Sequence, residues 1–209
     1  MGLKLILRRN STINLFRDLL IDTACSNIGN KILICSGFFQ EHFKNSSYKA
    51  TAEQNFISKF KNTKKEITTI GIHNNCWLPS YKNFVNEFRK HNIPIKALKR
   101  KKFKWYAKVY LLFEDDTPIF GIIGSSNITK NAFSDDPKSF NIEADVIIWK
   151  DDINLNRIIE GNFSNIQYDD YYNIDYSEQR NGGKTIQDRL NDLYKDILAE
   201  SNDNDEEVK

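Results

Sequence analysis

KALKRKKFKWYAKVYLLFEDDTPIFGIIGSSNITKNAFSDDPKSFNIE, residues 96–143, is the most informative block of this sequence. Within it, WYAKVYLL at 105–112 is typical of a β-strand, and the alternation places Lys108 on the same side as Tyr106. A charged side chain inside an apolar strand is costly unless it meets an anion or a carboxylate, so Lys108 is a functional candidate. The alternative is an edge lysine whose apolar stem lets the ammonium reach solvent.

The segment GIIGSSNIT, residues 121–129, predicts a strand that ends in a glycine-led turn. Ser125 and Asn127 in this turn carry short polar groups that can donate to a phosphate oxygen. Glu143 begins the next predicted strand and can accept a hydrogen bond from Lys108 or Asn127. The turn and the lysine together indicate a place where a phosphate can bind.

Basic residues crowd the approach to this strand. Seven of the 13 residues from Lys96 to Lys108 are Lys or Arg, none is acidic, and aromatic residues lie among them. This density of charge favours contact with a phosphate backbone, and the aromatic rings can stack on exposed bases. The alternative is a solvated basic loop. The candidate nucleic-acid contacts are Lys99, Arg100, Lys101, Lys102 and Lys104.

The net charge of +2 hides a strong asymmetry between the two halves of the chain. Residues 1–110 carry 21 basic and 6 acidic residues, a balance of +15, whereas residues 111–209 carry 9 and 22, a balance of −13. Such asymmetry indicates a polyanion-binding surface beside an acidic segment. Mutual neutralisation of the two halves in the fold is the alternative.

The composition argues against several other classes of protein. Hydrophobic residues make up 40% and charged residues 28%, which is ordinary for a globular domain. The three cysteines and three histidines are scattered, so we expect no disulfide framework, no metal site and no cofactor. No apolar run approaches the roughly 20 residues that span a bilayer, and the first residues do not resemble a secretory signal. We therefore expect a soluble, cytoplasmic protein without a membrane partner.

Hydrophobic periodicity predicts an α/β fold with a mixed β-sheet flanked by helices on both faces, and with a C-terminal helix. We expect one domain over 1–150, a C-terminal extension with a terminal helix over 151–200, and a disordered acidic tail over 201–209. The predicted helices are 12–26, 52–60, 79–91 and 185–200. The predicted strands are an edge strand at 3–7 and further strands at 31–39, 66–72, 95–98, 105–113, 118–123 and 144–149.

Taken together, WYAKVYLL, GIIGSSNIT and FNIEADVII resemble the signature of the phospholipase D superfamily, in which an HxK strand precedes a GSxN turn and an acidic strand. The match covers about residues 104–149, and it is most similar to the nuclease branch with its metal-independent restriction endonucleases. There the acidic residue follows the turn, as Glu143 does here. The resemblance implies a phospholipase D-like fold, with Lys108, Ser125 and Asn127 binding phosphate and Glu143 supporting them.

The chain departs from that signature at one position, because Tyr106 stands where the family has its nucleophilic histidine. The usual aspartate, five residues after the lysine, would fall at Phe113, and the restriction-enzyme branch also lacks it. An imidazole titrates near neutrality whereas a phenol has a pKa of about 10, so Tyr106 is a poorer acid–base group. Loss of activity, an altered mechanism with a phosphotyrosine intermediate, and a substitution introduced into an active parent all remain open.

The resemblance implies a metal-independent phosphodiesterase or endonuclease that acts on DNA, with RNA as the other nucleic acid, and with Tyr106, Lys108, Asn127 and Glu143 in the catalytic site. Family sites are built from two motifs and this chain has one, which implies a homodimer with a shared active site. A partner protein in a restriction or defence assembly is also implied. The alternative is a catalytically inactive subunit that binds nucleic acid or another protein.

Overall fold

A mixed β-sheet forms the centre of the chain. A computed structural model describes residues 2–10, 13–71, 74–100, 106–164, 166, 170–199 and 205–208. Within these ranges the strands are β1 (Gly2–Arg8), β2 (Lys31–Cys35), β3 (Glu66–Gly71), β4 (Ile95–Arg100), β5 (Lys108–Glu114), β6 (Thr117–Gly124), β7 (Glu143–Trp149), β8 (Tyr171–Asn173) and β9 (Asp205–Glu207). Their order across the sheet is β8-β1-β7-β6-β5-β2-β3-β4-β9. Neighbours in the β2-β3-β4 group are parallel, and all other neighbouring pairs are antiparallel.

Helices cover both faces of this sheet, which confirms the predicted fold class. The α-helices are α1 (Leu15–Cys25), α2 (Phe56–Phe60), α3 (Leu78–Lys90), α4 (Lys130–Phe133), α5 (Ile153–Phe163) and α6 (Ile186–Ala199). The first five contribute to the larger core on one face, whereas α6 packs on the other face. None of the helices in the described part of the chain combines the length and the apolar character that a membrane crossing requires.

Side-chain caps set the start of two helices in the larger core. The Asn14 side chain accepts from the backbone N–H of Arg17 and thereby begins α1. Asp152 accepts from the N–H groups of Asn154 and Leu155, at 3.0 and 2.9 Å, and begins α5. Such caps satisfy N–H groups that have no partner within the helix.

Several predicted elements are present in the structure but are shorter than predicted, because caps and turns end a helix or strand before its periodic pattern ends. The predicted helix 12–26 is α1, and the predicted strand 31–39 ends at Cys35, where the chain leaves the sheet. The helix predicted at 52–60 is instead a 3-10 helix, Ala50–Asn55, followed by the short α2. Helix α5 and strand β8 were not predicted.

Part of the acidic tail differs from the expectation of disorder, because residues 205–207 form β9, while residues 201–204 and 209 lie outside the described part of the chain. This strand pairs antiparallel with β4, and Arg100 is in register with Asp205. Arg100 is buried and pairs bidentately with the Asp205 carboxylate, at 2.8 and 3.1 Å. Complementary charge on the two strands therefore orders a segment whose composition alone predicts disorder.

Candidate functional site

The candidate site lies at one edge of the sheet, where β2 and β6 end and β5 and β7 begin. Lys108, the first residue of β5, pairs in register with Gly124, the last residue of β6. Gly124 in turn pairs with Asp145 of β7. Residues in one row of a sheet project to the same face, so Lys108 and Asp145 lie on the same side with a glycine between them.

The absence of a side chain at Gly124 lets the Asp145 carboxyl group lie directly against the β6 backbone. A Cβ atom at this position would lie 2.0 Å from Asp145 Oδ1 and 2.4 Å from the Ala144 carbonyl oxygen. Both distances are far below van der Waals contact, so only glycine is compatible with the observed approach of β7. The glycine that the sequence assigned to a turn is thus required for the packing of the site.

Lys108 is half-buried, on the face of the sheet that carries the larger core. Burial lowers the pKa of its ammonium, whereas the carboxylates of Glu143 and Asp145 act in the opposite direction. The field of these two carboxylates therefore offsets part of the cost of burying the lysine charge.

Asp145 is a buried carboxyl group that sequence analysis did not select. Its Oδ2 accepts from the hydroxyl of Ser126 at 2.6 Å, and its Oδ1 accepts from the Ser126 backbone N–H at 3.2 Å. Burial raises the pKa of Asp145 to about 6, against the effect of these hydrogen bonds. The sequence signal was present, because in Glu143-Ala144-Asp145 the two acids are two residues apart and share one face of a strand.

Glu143 holds the glycine-led turn against β7. Its Oε2 accepts from the hydroxyl of Ser125, and its Oε1 accepts from Asn141 Nδ2 at 3.0 Å. Ser125 also receives a hydrogen bond from the Ala144 N–H at 3.0 Å. The structure thus brings the candidates Ser125 and Glu143 together, and the hydrogen bonds that Glu143 accepts come from Ser125 and Asn141, whereas Lys108 or Asn127 was the expected donor.

Asn127 is held in place by Ser36, the residue that follows β2. The hydroxyl of Ser36 lies 3.2 Å from Asn127 Oδ1 and 2.8 Å from the Phe38 carbonyl oxygen, and it accepts from the Ile128 N–H at 3.3 Å. Because the amide oxygen is directed at Ser36, the Nδ2 group is the end that can donate to an anion. Ser36 was not selected from the sequence, since its partner is 91 residues away.

Tyr106 lies at the same edge, two residues before Lys108 and outside the bounds of β5. Its side chain is 76% exposed. The structure therefore places the phenol near the rim of the site rather than among the buried carboxylates. A tyrosine at a rim can contact a ligand that enters from solvent.

The predicted nucleic-acid contacts are only partly described by the structure. Lys101, Lys102 and Lys104 lie outside the described residues. Lys99 is half-buried on β4, in register with Glu206. Arg100 does not fit the predicted role as a nucleic-acid contact. Its guanidinium is buried against Asp205 and also donates to the Ile197 carbonyl oxygen at 3.1 Å. Arg100 therefore stabilises the pairing of the outer strands β4 and β9 instead of facing a ligand.

Comparison with known proteins gives limited similarity. No family model matches the chain, and no curated protein matches it in sequence. Among solved structures, phosphatidylserine synthase of Haemophilus influenzae matches with a TM-score of 0.46 and 12% identity over 95% of this chain. Polyphosphate kinase of Porphyromonas gingivalis matches with 0.43 and 16% over 75%, and yeast tyrosyl-DNA phosphodiesterase with 0.43 and 12% over 69%. The chain spans 46%, 26% and 46% of those three structures, respectively.

Proposed function

We propose that this chain is a metal-independent phosphodiesterase of the phospholipase D type that acts on DNA, with Tyr106 at the position of the family's nucleophile. One observation carries the proposal. Lys108, Ser125, Asn127 and Glu143, which come from three separate parts of the chain, meet at one edge of the sheet around Gly124. These are the residues that the motif resemblance nominates for phosphate binding.

Each residue of the site has a separate role in binding a phosphodiester. The ammonium of Lys108 and the Nδ2 group of Asn127 donate to its non-bridging oxygens. Glu143 orients Ser125 and, together with Asp145, offsets the charge of Lys108 when no anion is bound. A phosphate must therefore compete with two carboxylates, which predicts modest affinity for a single phosphate and a need for further contacts along the strand.

In the catalytic form of the proposal, the Tyr106 oxygen attacks phosphorus and the bond from phosphorus to one ester oxygen breaks. The departing oxygen takes up the proton that the phenol gives up, directly or through water. Water then attacks the phosphotyrosine, and the phenol oxygen leaves with a proton. The products are an alcohol and a phosphate monoester. A phenol has a pKa of about 10 and is mostly protonated at neutral pH, so we expect a slow reaction.

A second function, binding of nucleic acid or a partner protein without turnover, is favoured by the position of Tyr106. The phenol is exposed at the rim and stands where the family has an imidazole. In this case the site holds phosphate but does not cleave it. Binding would still weaken steeply with salt, because each phosphate contact releases counterions.

Cleavage of labelled DNA in the presence of EDTA tests the proposal and separates the two functions. The wild-type chain, Tyr106→Phe and Tyr106→His are compared, with Lys108→Met as the control for phosphate binding. We expect Tyr106→His to cleave at least ten times faster than the wild type, since an imidazole titrates near neutral pH. Turnover by the wild type that is lost in Tyr106→Phe supports the catalytic form.

Binding without turnover by the wild type and by Tyr106→His supports the second function. The proposal as a whole fails if neither protein cleaves or binds DNA or RNA. It also fails if Lys108→Met binds as tightly as the wild type, because the assigned lysine would then contribute nothing. A homodimer with a shared site and a partner from a restriction or defence assembly remain proposals that rest on the resemblance.

A further inference from the structure

Three aromatic side chains lie beside the candidate site and have no part in the function proposed above. Phe38 follows the end of β2, Phe43 belongs to the loop after it, and Trp77 ends a 3-10 helix, Asn75–Trp77, that leads into α3. Each of the three is half-buried. Large aromatic rings that remain partly open to solvent at a strand end are suited to contact a flat ligand.

The position of this aromatic group relative to Asn127 follows from one backbone bridge. Phe39 and Ile128 form a parallel β-bridge, and both side chains are buried in the larger core. The Ser36 hydroxyl lies 2.8 Å from the Phe38 carbonyl oxygen and 3.2 Å from Asn127 Oδ1, so Phe38 and Asn127 are close neighbours. The aromatic group therefore adjoins the Asn127 amide, which is proposed to donate to the phosphate.

Two of the rings form a parallel stack, and the third is tilted against it. Phe43 and Trp77 lie face to face, with centroids 3.7 Å apart and planes inclined by 7°. Phe38 packs on Trp77 at 4.9 Å with an inclination of 47°. The spacing of the parallel pair is close to the rise of about 3.4 Å between successive bases on one strand of DNA. The stack therefore has the geometry that a nucleobase can extend.

The loop that carries Phe43 is held rigidly in place. Glu41 and Lys49 form an antiparallel bridge at its base, and the buried Glu41 carboxylate accepts from the Thr51 N–H and hydroxyl at 3.1 and 2.9 Å. The Glu41 N–H donates to the Ser80 hydroxyl of α3 at 2.8 Å, which ties the loop to the helix that follows Trp77. A platform fixed before binding loses little conformational entropy when a ligand stacks on it.

The loop also contains backbone strain and a cation. His42 and Lys44, on either side of Phe43, both have φ values of 52°, in the left-handed region that few residues other than glycine adopt. The Lys44 ammonium lies 5.1 Å from the centroid of the Phe43 ring. Strain of this kind persists where the surrounding structure imposes it, commonly at ligand sites. A cation beside a stacking ring can bind the phosphate of the nucleotide whose base is stacked.

We propose that Phe38, Trp77 and Phe43 form a stacking platform for an unpaired base adjoining a phosphate bound at Lys108 and Asn127. The inference rests on the function proposed above and narrows its substrate to DNA that is single-stranded at the scissile position. A base paired within a duplex is stacked on both faces and cannot extend the platform. The phosphate contacts then supply affinity for any strand, while the platform supplies the preference for an exposed base.

The test measures binding of the full chain to two labelled strands of equal length and charge, an oligothymidylate and an abasic strand of the same backbone. We expect the oligothymidylate to bind the wild type about ten times more tightly, since stacking of one base on an aromatic side chain has an effect of this size. Trp77→Ala should abolish this difference and leave the affinity for the abasic strand unchanged, whereas Trp77→Phe should retain most of it. Tyr172→Ala is the matched control, because Tyr172 is an exposed aromatic residue on β8 at the far end of the sheet.

Equal affinity of the wild type for both strands would overturn the platform and leave the phosphate site standing. If Trp77→Ala still binds the oligothymidylate more tightly than the abasic strand, the base does not stack on these three rings. Absence of binding to either strand would overturn the proposed function and the platform together. The comparison of the two strands on the wild type needs no variant, so a failure of Trp77→Ala to fold does not affect it.

Discussion

Lys108 and Asp145 flank Gly124 in a single row of the sheet, one strand to either side of it. Their Cα atoms are two strand spacings apart, about 10 Å, and the glycine places no side chain between them. The lysine that looks isolated in the sequence therefore shares a row of the sheet with a buried carboxyl group, and the charge of that group opposes the effect of burial, which lowers the pKa of the lysine. The arrangement explains how an ammonium and a buried carboxyl group can coexist at the end of an apolar sheet.

Gly124→Ala should destabilise the fold. The added Cβ would clash with Asp145 and with the Ala144 carbonyl, and overpacking of this kind costs about 1–3 kcal/mol in free energy of unfolding. Gly161→Ala is the matched control, because Gly161 lies in α5 with open space around it and alanine favours a helix by about 0.5–1 kcal/mol. Urea denaturation of both variants should give changes of opposite sign, and equal changes would contradict the assignment.

Ionisation of Asp145 should lower the free energy of unfolding as the pH rises from about 4 to 6. Its pKa is about 6 in the fold and near 3.8 in the unfolded chain, so within this window the folded state binds more protons and stability falls with rising pH. Above pH 6 the loss is complete, at about 3 kcal/mol. Asp145→Asn keeps an oxygen acceptor for Ser126 and should remove this part of the pH dependence.

Urea denaturation at several pH values between 4 and 7 measures this effect as the difference between wild type and Asp145→Asn. The difference should change most between pH 4 and 6 and remain flat above that range. A difference that is constant over the whole series would show that Asp145 titrates normally in the fold.

Asp205→Asn should loosen the C-terminal strand. The change removes the carboxylate charge that pairs bidentately with the buried Arg100 guanidinium, and breaking a buried ion pair from one side typically costs about 3 kcal/mol. Amide hydrogen exchange of β4 should accelerate, because β9 covers its outer edge. Glu207→Gln alters the charge of the same strand at an exposed position and should leave the exchange of β4 unchanged. Equal exchange in the two variants would argue against a role for the ion pair.

A shared active site predicts a dimer in which the two Lys108 residues face one cleft. Light scattering should give twice the chain mass of 24.4 kDa. In a Cys76→Ser background, Lys108→Cys should crosslink between copies with a short bis-maleimide, whereas Lys195→Cys on the outer side of α6 should not. A monomer at the concentrations that bind DNA would refute the shared site.

Local periodicity was sufficient to predict most of the helices and strands. The spacing of Tyr81, Phe84 and Phe88 marks α3, and the pair Asp115-Asp116 marks the turn between β5 and β6. These signals depend on residues that are neighbours in the chain, so they can be read without knowing the fold. Lys108, Ser125, Asn127 and Glu143 could be selected for the same reason, because each belongs to a short motif.

The register between strands depends on residues far apart in the chain, and tertiary structure alone sets it. Pairing of β5, β6 and β7 brings Asp145 to the row of Lys108, and pairing of β4 with β9 buries Arg100 and orders an acidic tail. The contact of Ser36 with Asn127 and the stack of Phe43 on Trp77 likewise join separate segments. Short sequence motifs therefore nominate candidate functional side chains. Packing of the strands determines which of them share a site, because the free energy of that choice lies in long-range contacts.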